Sequence, residues 1–211
     1  MSARQAGLFE SLLPQLRVKP EKSRDPRDYF DREVGDVWLE IGFGGGEHLI
    51  WQAEAHPDIG IIGAEPYVAG MAKLLSRIAE RGFTNIRLYP EDAHDVIETL
   101  PNASVGRVFI LFPDPWPKTR HHKRRLIQMG ALDSLARIMH AGAELRFASD
   151  DADYIAWALE RLTAHPAFTW IAACAQDWRM RPDDWPETRY EAKAIRHGRT
   201  CAYLRFMRSS S

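Results

Sequence analysis

Short apolar runs alternate with stretches of helical periodicity along most of the chain. Between the runs, apolar side chains recur at helical spacing, as at Met71, Leu74 and Ile78, and Gly82 then supplies a typical helix C-cap. Repeated strand–helix–strand units predict an α/β fold, with a mostly parallel sheet and helices on both faces. Seven buried strands are expected, at residues 37–41, 60–65, 85–89, 105–112, 144–148, 168–173 and 201–207.

The remaining segments carry weaker patterns. Residues 1–33 mix charged residues and prolines with little periodicity, and they predict an N-terminal arm that could be flexible, ahead of one domain over residues 34–211. A helix from Leu126 to Met139 is expected to stop at Gly142. Residues 177–199 are too polar to be expected in the core.

Composition narrows the class of protein without naming a function. The chain has 211 residues, 45% hydrophobic and 27% charged, and its net charge is -1, as in an ordinary globular protein. It lacks an apolar run near the roughly 18 residues of a membrane span, and its N-terminus lacks the apolar h-region that is typical of a secretory signal. Cys174 and Cys201 form no close-spaced metal motif. We therefore expect a cytoplasmic protein without a metal or a membrane partner, acting as a monomer or homodimer.

A glycine-rich turn follows the first predicted strand. In Glu40-Ile41-Gly42-Phe43-Gly44, the glycines let the backbone turn tightly and lie close to a ligand, and the next helix offers free N–H groups. The spacing differs from the Gly-x-Gly-x-x-Gly pattern of dinucleotide-binding proteins. The turn alone is therefore weak evidence for a particular cofactor.

Carboxylates end the next three predicted strands, at Glu65, Asp92 and Asp114. An acid at the end of the second strand commonly receives two ribose hydroxyls. A row of carboxylates would repel a diphosphate but would attract a cofactor with ribose hydroxyls and net positive charge, such as S-adenosylmethionine. Each acid taken singly could instead cap a helix.

The fourth strand leads into the stretch Leu111-Phe112-Pro113-Asp114-Pro115-Trp116-Pro117-Lys118. Its three prolines exclude both helix and ladder pairing, so Asp114 and Trp116 should lie on a rigid loop. Behind it, residues 118–125 contain five Lys or Arg and two His. Such a run is often only a solvated face. At the carboxyl end of a sheet strand, however, it predicts RNA contacts, by Arg120, His121, His122, Lys123, Arg124 and Arg125.

These motifs, with Glu91-Asp92-Ala93 and Thr188-Arg189-Tyr190-Glu191, resemble the bacterial tRNA (guanine-N7-)-methyltransferase family from about Val37 to the C-terminus. The resemblance implies a class I, Rossmann-like methyltransferase sheet of seven strands with the last one antiparallel. It implies methyl transfer from S-adenosylmethionine to N7 of a tRNA guanosine in the variable loop. The family more often carries Asn at the positions of His122 and Glu91.

The resemblance also implies roles for single residues. Cofactor contacts are expected at the glycines Gly42 and Gly44 and at the acids Glu40, Glu65, Asp92 and Asp114. Substrate contacts are expected at Lys118, Asp150, Thr188, Arg189, Tyr190 and Glu191. Guanine N7 carries a bare lone pair, so the reaction needs no general base, and Asp114 is expected to act by position and charge. Glu191 could accept hydrogen bonds from the guanine N1–H and amino group.

Three other functions stay open at this stage. An amino-methyltransferase could act on an exocyclic base amine, although such enzymes carry Asp-Pro-Pro-aromatic loops and this chain has Pro-Asp-Pro-Trp. A catalytically silent RNA-binding module could use the same scaffold. A nicotinamide dehydrogenase is a third alternative. A test of cofactor binding and of the methylated product would separate all three from the main hypothesis.

Overall fold

A computed structural model describes residues 2–210. Its seven strands form one sheet in the order β3-β2-β1-β4-β5-β7-β6. Strand β7 is antiparallel to β5 and β6, whereas the pairings among β1 to β5 are parallel. The predicted fold, with its antiparallel last strand, is confirmed. The strands are β1 (Asp36–Ile41), β2 (Ile59–Ala64), β3 (Ile86–Tyr89), β4 (Val105–Leu111), β5 (Met139–Ser149), β6 (Phe168–Trp170) and β7 (Ala202–Arg208).

Helices cover both faces of this sheet, as the alternating pattern predicts. Helix α4 buries Met71, Leu74 and Ile78, and it ends at Gly82, whose φ of 70° suits a glycine C-cap. One apolar cluster joins the sheet to α5, α6 and α7, and a second joins it to α1, α3 and α4. The helices are α1 (Ala3–Ser11), α2 (Leu13–Leu16), α3 (Glu47–Ala55), α4 (Val68–Arg81), α5 (Ala93–Thr99), α6 (Met129–Ile138), α7 (Ala152–Ala164), α8 (Gln176–Arg179) and α9 (Arg189–Arg196).

The expected helix stop at Gly142 is wrong. Helix α6 ends at Ile138, and strand β5 begins at the next residue, Met139, opposite Val105. Gly142 lies within β5 with a φ of 81°, where the pairing with β4 shifts register. The glycine therefore allows a bulge in a strand, which from sequence alone resembles a helix stop.

The expectation that residues 177–199 lie outside the core is also wrong in part. Trp185, Glu191 and Ala194 are buried. Trp185 and Ala194 pack with Ala148 and Tyr203 of the sheet in a small apolar cluster, and beside it Arg146 of β5 pairs with Asp184 of this segment. Polar side chains can be buried where their charges are paired, so low hydrophobicity did not mean exposure.

The first residues pack against the sheet rather than standing apart from it. Leu13, Leu16 and Val18 are buried, and the Val18 amide donates to the Leu88 carbonyl at 2.9 Å. Arg17 pairs with Glu91 beside the end of β3. The boundary at residue 33 and the separate role of residues 1–33 stay predictions. Within residues 2–210, no helix combines the length and the apolar character needed to cross a membrane.

Candidate active site

One pocket of about 540 Å³ lies at the carboxyl ends of β1 to β4. Parallel α/β sheets bind their ligands at this edge, because the strand ends and the helix N-termini converge there. The structure brings together here seven of the predicted site residues. They are Gly42, Gly44, Glu65, Asp92, Asp114, Arg124 and Tyr190, joined on the wall by Tyr67, Phe112, Trp116 and Leu126, among others.

Glu65 fastens the glycine-rich turn to the end of β2. Its two carboxylate oxygens accept hydrogen bonds from the backbone N–H of Gly44 at 2.7 Å and of Tyr67 at 2.8 Å. Gly44 has a φ of 56°, and a Cβ there would lie 2.8 Å from the Tyr190 ring. Only glycine fits both the backbone conformation and the space. The turn is thus held close to the pocket by residues distant in sequence.

The three carboxylates in the wall give the pocket a negative character. Burial raises the pKa of Glu65, and the nearby charge of Asp114 raises it further, against the lowering effect of its two backbone hydrogen bonds. Asp92 caps α5 with one oxygen, which accepts from the His94 N–H at 3.0 Å. In the part of the chain that the structure describes, Asp114 has neither a hydrogen bond nor an ion pair. Its carboxylate is therefore available to a cationic ligand.

Glu40 lies behind this wall rather than in it. It is 2% exposed, and its Oε2 lies 2.8 Å from Nδ1 of His48, whose other ring nitrogen lies 3.1 Å from the Gln52 amide nitrogen. Glu40 and Thr188 line a small neighbouring cavity that shares Gly42 and Tyr190 with the main pocket. His48 was not among the predicted site residues, although its place two residues after Gly46 could have indicated it. A direct cofactor contact by Glu40 stays a prediction.

The loop that carries Asp114 has an unusual backbone at both ends. Phe112 and Trp116 have positive φ values of 52° and 46°, a conformation that costs about 1–3 kcal/mol for a residue other than glycine. The Phe112 N–H donates to the Ala148 carbonyl at 2.7 Å, and Nε of Arg125 donates to the Pro115 carbonyl at 2.8 Å. These bonds and the prolines hold the loop in one shape, but no residue type in the loop indicated the positive φ values.

The basic run forms a 3₁₀ turn over Thr119–Arg124 next to the pocket. Within residues 2–210, its exposed side chains Arg120, Lys123 and Arg124 have no carboxylate within 4.0 Å, and Arg124 lies 4.8 Å over the Trp116 ring. His121 also contacts Trp116, with the ring centroids 6.0 Å apart. Lys118 precedes the turn and is exposed. A cationic surface therefore borders the mouth of the pocket.

Two members of the run point inward instead. Arg125 is 1% exposed, pairs with Asp153 and lies 5.0 Å from both the Tyr154 and the Trp157 rings. His122 packs edge-on against Trp157 with the centroids 5.2 Å apart. The charge of Arg125 is already satisfied inside the protein, and its side chain is not available at the surface where RNA would bind. The RNA contact predicted for His122 stays a prediction.

The predicted substrate residues near the C-terminus form the start of α9. Thr188 and Glu191 make a reciprocal capping box at its N-terminus. Glu191 is buried, its Oε1 accepts from the Tyr203 hydroxyl, and it forms an ion pair with Nε of Arg181 at 2.9 Å. Asp150 pairs with Arg199 at 2.6 Å. The guanine contact predicted for Glu191 and the substrate contact of Asp150 stay predictions.

Comparisons with known proteins agree with the family resemblance of the motifs. A family model described as "Putative methyltransferase" matches residues 35–204. The tRNA (guanine-N(7)-)-methyltransferase of Rhodospirillum rubrum is 54% identical over 206 residues, which cover 95% of this chain and 81% of that protein. The protein of the same name from Brucella anthropi is 46% identical over 210 residues, covering 99% of this chain and 90% of that protein.

Solved structures share the fold at lower identity. The 16S rRNA methyltransferase KamB superposes with a TM-score of 0.65 at 17% identity, covering 92% of this chain and 96% of that one. The 16S rRNA (adenine(1408)-N(1))-methyltransferase from Catenulisporales acidiphilia gives a TM-score of 0.56 at 18% identity, covering 84% of this chain and 90% of that one. In the part of the chain that the structure describes, no group of three His, Cys, Asp or Glu residues is placed to hold a metal ion.

Proposed function

The chain belongs to the tRNA (guanine-N(7)-)-methyltransferase family, and from this premise we propose that its pocket transfers a methyl group to N7 of a guanosine in tRNA. One observation supports this function above others. A pocket with three wall carboxylates, suited to a cationic cofactor, lies directly beside an exposed basic turn, suited to a polyanionic substrate. We further propose that the target guanosine lies in the variable loop of the tRNA, which is the position that the family resemblance of the motifs implies.

The methyl donor is S-adenosylmethionine, and the residues present fit it. The volume of the pocket is in the ordinary range for such a ligand, and the absence of a side chain at Gly44 lets the backbone approach closely. When bound, S-adenosylmethionine supplies an activated methyl group on a positively charged sulfur. Glu65 would accept the ribose hydroxyls, and Asp92 and Asp114 would face the remaining polar and cationic groups.

The protein's own contribution to the reaction is alignment and charge. Guanine N7 carries a lone pair and no proton, so no residue has to remove one. The rigid loop holds Asp114 at the pocket wall, where its free carboxylate would favour the positive charge that develops on the guanine. Trp116 and Tyr190 present aromatic surfaces in the same wall, against which a base could stack.

The substrate side of the site is proposed from the same surfaces. Lys118, Arg120, Lys123 and Arg124 would contact tRNA phosphates, while Thr188 to Glu191 would lie beside the bound base. Because tRNA is the substrate, we propose that the enzyme acts in the cytoplasm. We also propose that the enzyme works as a monomer or homodimer.

Incubation of the purified protein with labelled S-adenosylmethionine and unmodified tRNA tests the function directly. We expect labelled N7-methylguanosine after digestion to nucleosides. A label on an adenosine amine would instead support the amino-methyltransferase alternative. Binding of tRNA without binding of S-adenosylmethionine would support a silent RNA-binding module.

A change of Glu65 tests the cofactor assignment. Glu65→Ala removes charge-assisted hydrogen bonds worth about 1.5–3 kcal/mol. Affinity for S-adenosylmethionine should fall roughly tenfold to a hundredfold in calorimetry, while tRNA binding without the cofactor stays near that of wild type. The matched control is Glu54→Ala, because Glu54 lies on the surface of α3 and pairs with Arg81. Equal cofactor affinity in Glu65→Ala and wild type would remove Glu65 from the cofactor site.

A further inference from the structure

The outer face of helix α9 carries three basic residues, and the proposed reaction uses neither Lys193 nor Arg196. Arg189, Lys193 and Arg196 stand at positions i, i+4 and i+7 and therefore share one face of the helix, which we call the α9 stripe. The opposite face is buried through Glu191 and Ala194. Glu191 is the one acidic residue of the helix, and it points inward, so no acid of α9 offsets the stripe.

Two of the three charges of the stripe are not neutralised by ion pairs within the described residues. Lys193 and Arg196 are exposed, and neither has a carboxylate within 4.0 Å among residues 2–210. Arg199, just past the helix, differs because it pairs with Asp150 at 2.6 Å. Within this short segment, Arg199 is therefore neutralised by an ion pair, whereas Lys193 and Arg196 are not. The charges of Lys193 and Arg196 are available to bind a partner.

The stripe starts at the proposed cofactor pocket and leads away from it. Tyr190, the neighbour of Arg189, lines the pocket wall together with Arg124 of the basic turn. Burial is the main influence on the pKa of Glu65 and raises it, and Arg189 is close enough for its charge to lower that pKa. Two separate basic surfaces, the 3₁₀ turn and the α9 stripe, thus border one pocket from two elements of the fold.

The helix is also held firmly against the sheet. Its N-terminus has the capping box of Thr188 and Glu191, and Glu191 is anchored to Tyr203 and Arg181. Ala194 is 1% exposed and packs under the helix. Cations on a fixed helix lose less conformational freedom on binding than cations on a loose loop, which favours a specific contact over a diffuse one.

We propose that the α9 stripe binds phosphates of the tRNA backbone, as a second docking surface beside the one formed by the basic turn. The inference rests on the proposed function and extends it. From Arg189 to Arg196 the helix rises about 10 Å. The stripe is thus long enough to face more than one phosphate of an RNA strand. A nucleotide entering the pocket would then be flanked by protein contacts on both sides.

The test is the salt dependence of tRNA binding by the Lys193→Gln/Arg196→Gln variant, measured with unmodified tRNA and without cofactor. Each lost phosphate contact lowers the slope of log affinity against log salt by about 0.7–0.9. Two lost contacts should lower it by about 1.4–1.8, which at 0.1 M salt corresponds to roughly 25- to 60-fold weaker binding. Arg189 is left unchanged because it adjoins the pocket.

The control variant is Lys22→Gln/Arg32→Gln. Both residues are exposed, lack an ion pair among the described residues and lie toward the amino ends of the strands, away from the pocket. It should keep the wild-type slope, and thermal melting should show both variants folded. An unchanged slope in a folded Lys193→Gln/Arg196→Gln protein would overturn the inference. The binding measurement needs no catalysis, so failure of the inference is distinguishable from failure of the proposed function, which would appear as absence of N7-methylguanosine from the wild-type reaction.

Discussion

Neutralising Arg120, Lys123 and Arg124 together should weaken tRNA binding roughly 100- to 500-fold at 0.1 M salt and flatten its salt dependence. The three side chains are exposed at the pocket mouth and have no carboxylate within 4.0 Å in the described chain. Three lost phosphate contacts should lower the slope of log affinity against log salt by about 2.1–2.7. Filter binding of unmodified tRNA to the triple glutamine variant, over a range of salt concentrations, measures both quantities.

The structure decides which residues belong in that variant. Arg125 stays unchanged because it is buried against Asp153, Tyr154 and Trp157, so its loss would disturb the fold instead of the RNA contact. Binding to many RNAs should weaken alike, since phosphate contacts carry no sequence information. The Lys22→Gln/Arg32→Gln protein again supplies the control. If the triple variant kept both affinity and slope, the basic turn would be a solvated face and the RNA would bind elsewhere.

The sheet and the pocket could be predicted because their signals are local. A buried parallel strand is a short apolar run, and a residue that ends such a run must lie at the carboxyl edge, whatever the rest of the fold does. Glu65, Asp92 and Asp114 each end a strand, and they meet in one pocket for that reason. The antiparallel direction of the last strand is an exception, because it was predicted from the family resemblance and not from the residues of the strand itself.

The errors lie where distant residues decide the outcome. Arg125 has the sequence context of an RNA-binding arginine, and only the approach of Asp153, from α7, makes it a buried residue. Gly142 appears to stop a helix until its pairing across to β4 shows a strand bulge. Trp185 is buried although its segment is polar, because it packs against Ala148 and Tyr203 of the sheet, which are distant in sequence. Pairing and burial of this kind are properties of the folded chain and have no counterpart in local periodicity.

Replacing Asp114 should separate catalysis by position and charge from catalysis by proton removal. Asp114→Ala deletes both the charge and the hydrogen-bonding group at the pocket wall, and the rate of methyl transfer should fall about 10²–10³-fold. Asp114→Asn keeps the shape and deletes only the charge, so its rate should lie between those of wild type and Ala. Rapid-quench single-turnover rates, at saturating cofactor and tRNA, measure the chemical step apart from binding. The control is Glu91→Asn, because Glu91 follows β3 at the same edge of the sheet but does not line the pocket.

The pH dependence of the same rates completes the argument. Guanine N7 has no proton to lose in neutral solution, so a residue acting as a general base would have nothing to accept. The wild-type rate should therefore stay flat between about pH 6.5 and 8.5, a range well above the pKa of an unperturbed carboxyl group. Saturation with tRNA and cofactor keeps any effect of pH on binding out of the measured rate. The Asn and Ala variants should be slower by a constant factor across this range, since they lose charge and alignment rather than a proton acceptor. A wild-type rate that rose tenfold per pH unit and lost that rise in Asp114→Asn would show that Asp114 takes a proton, and hence that the methylated atom is not N7.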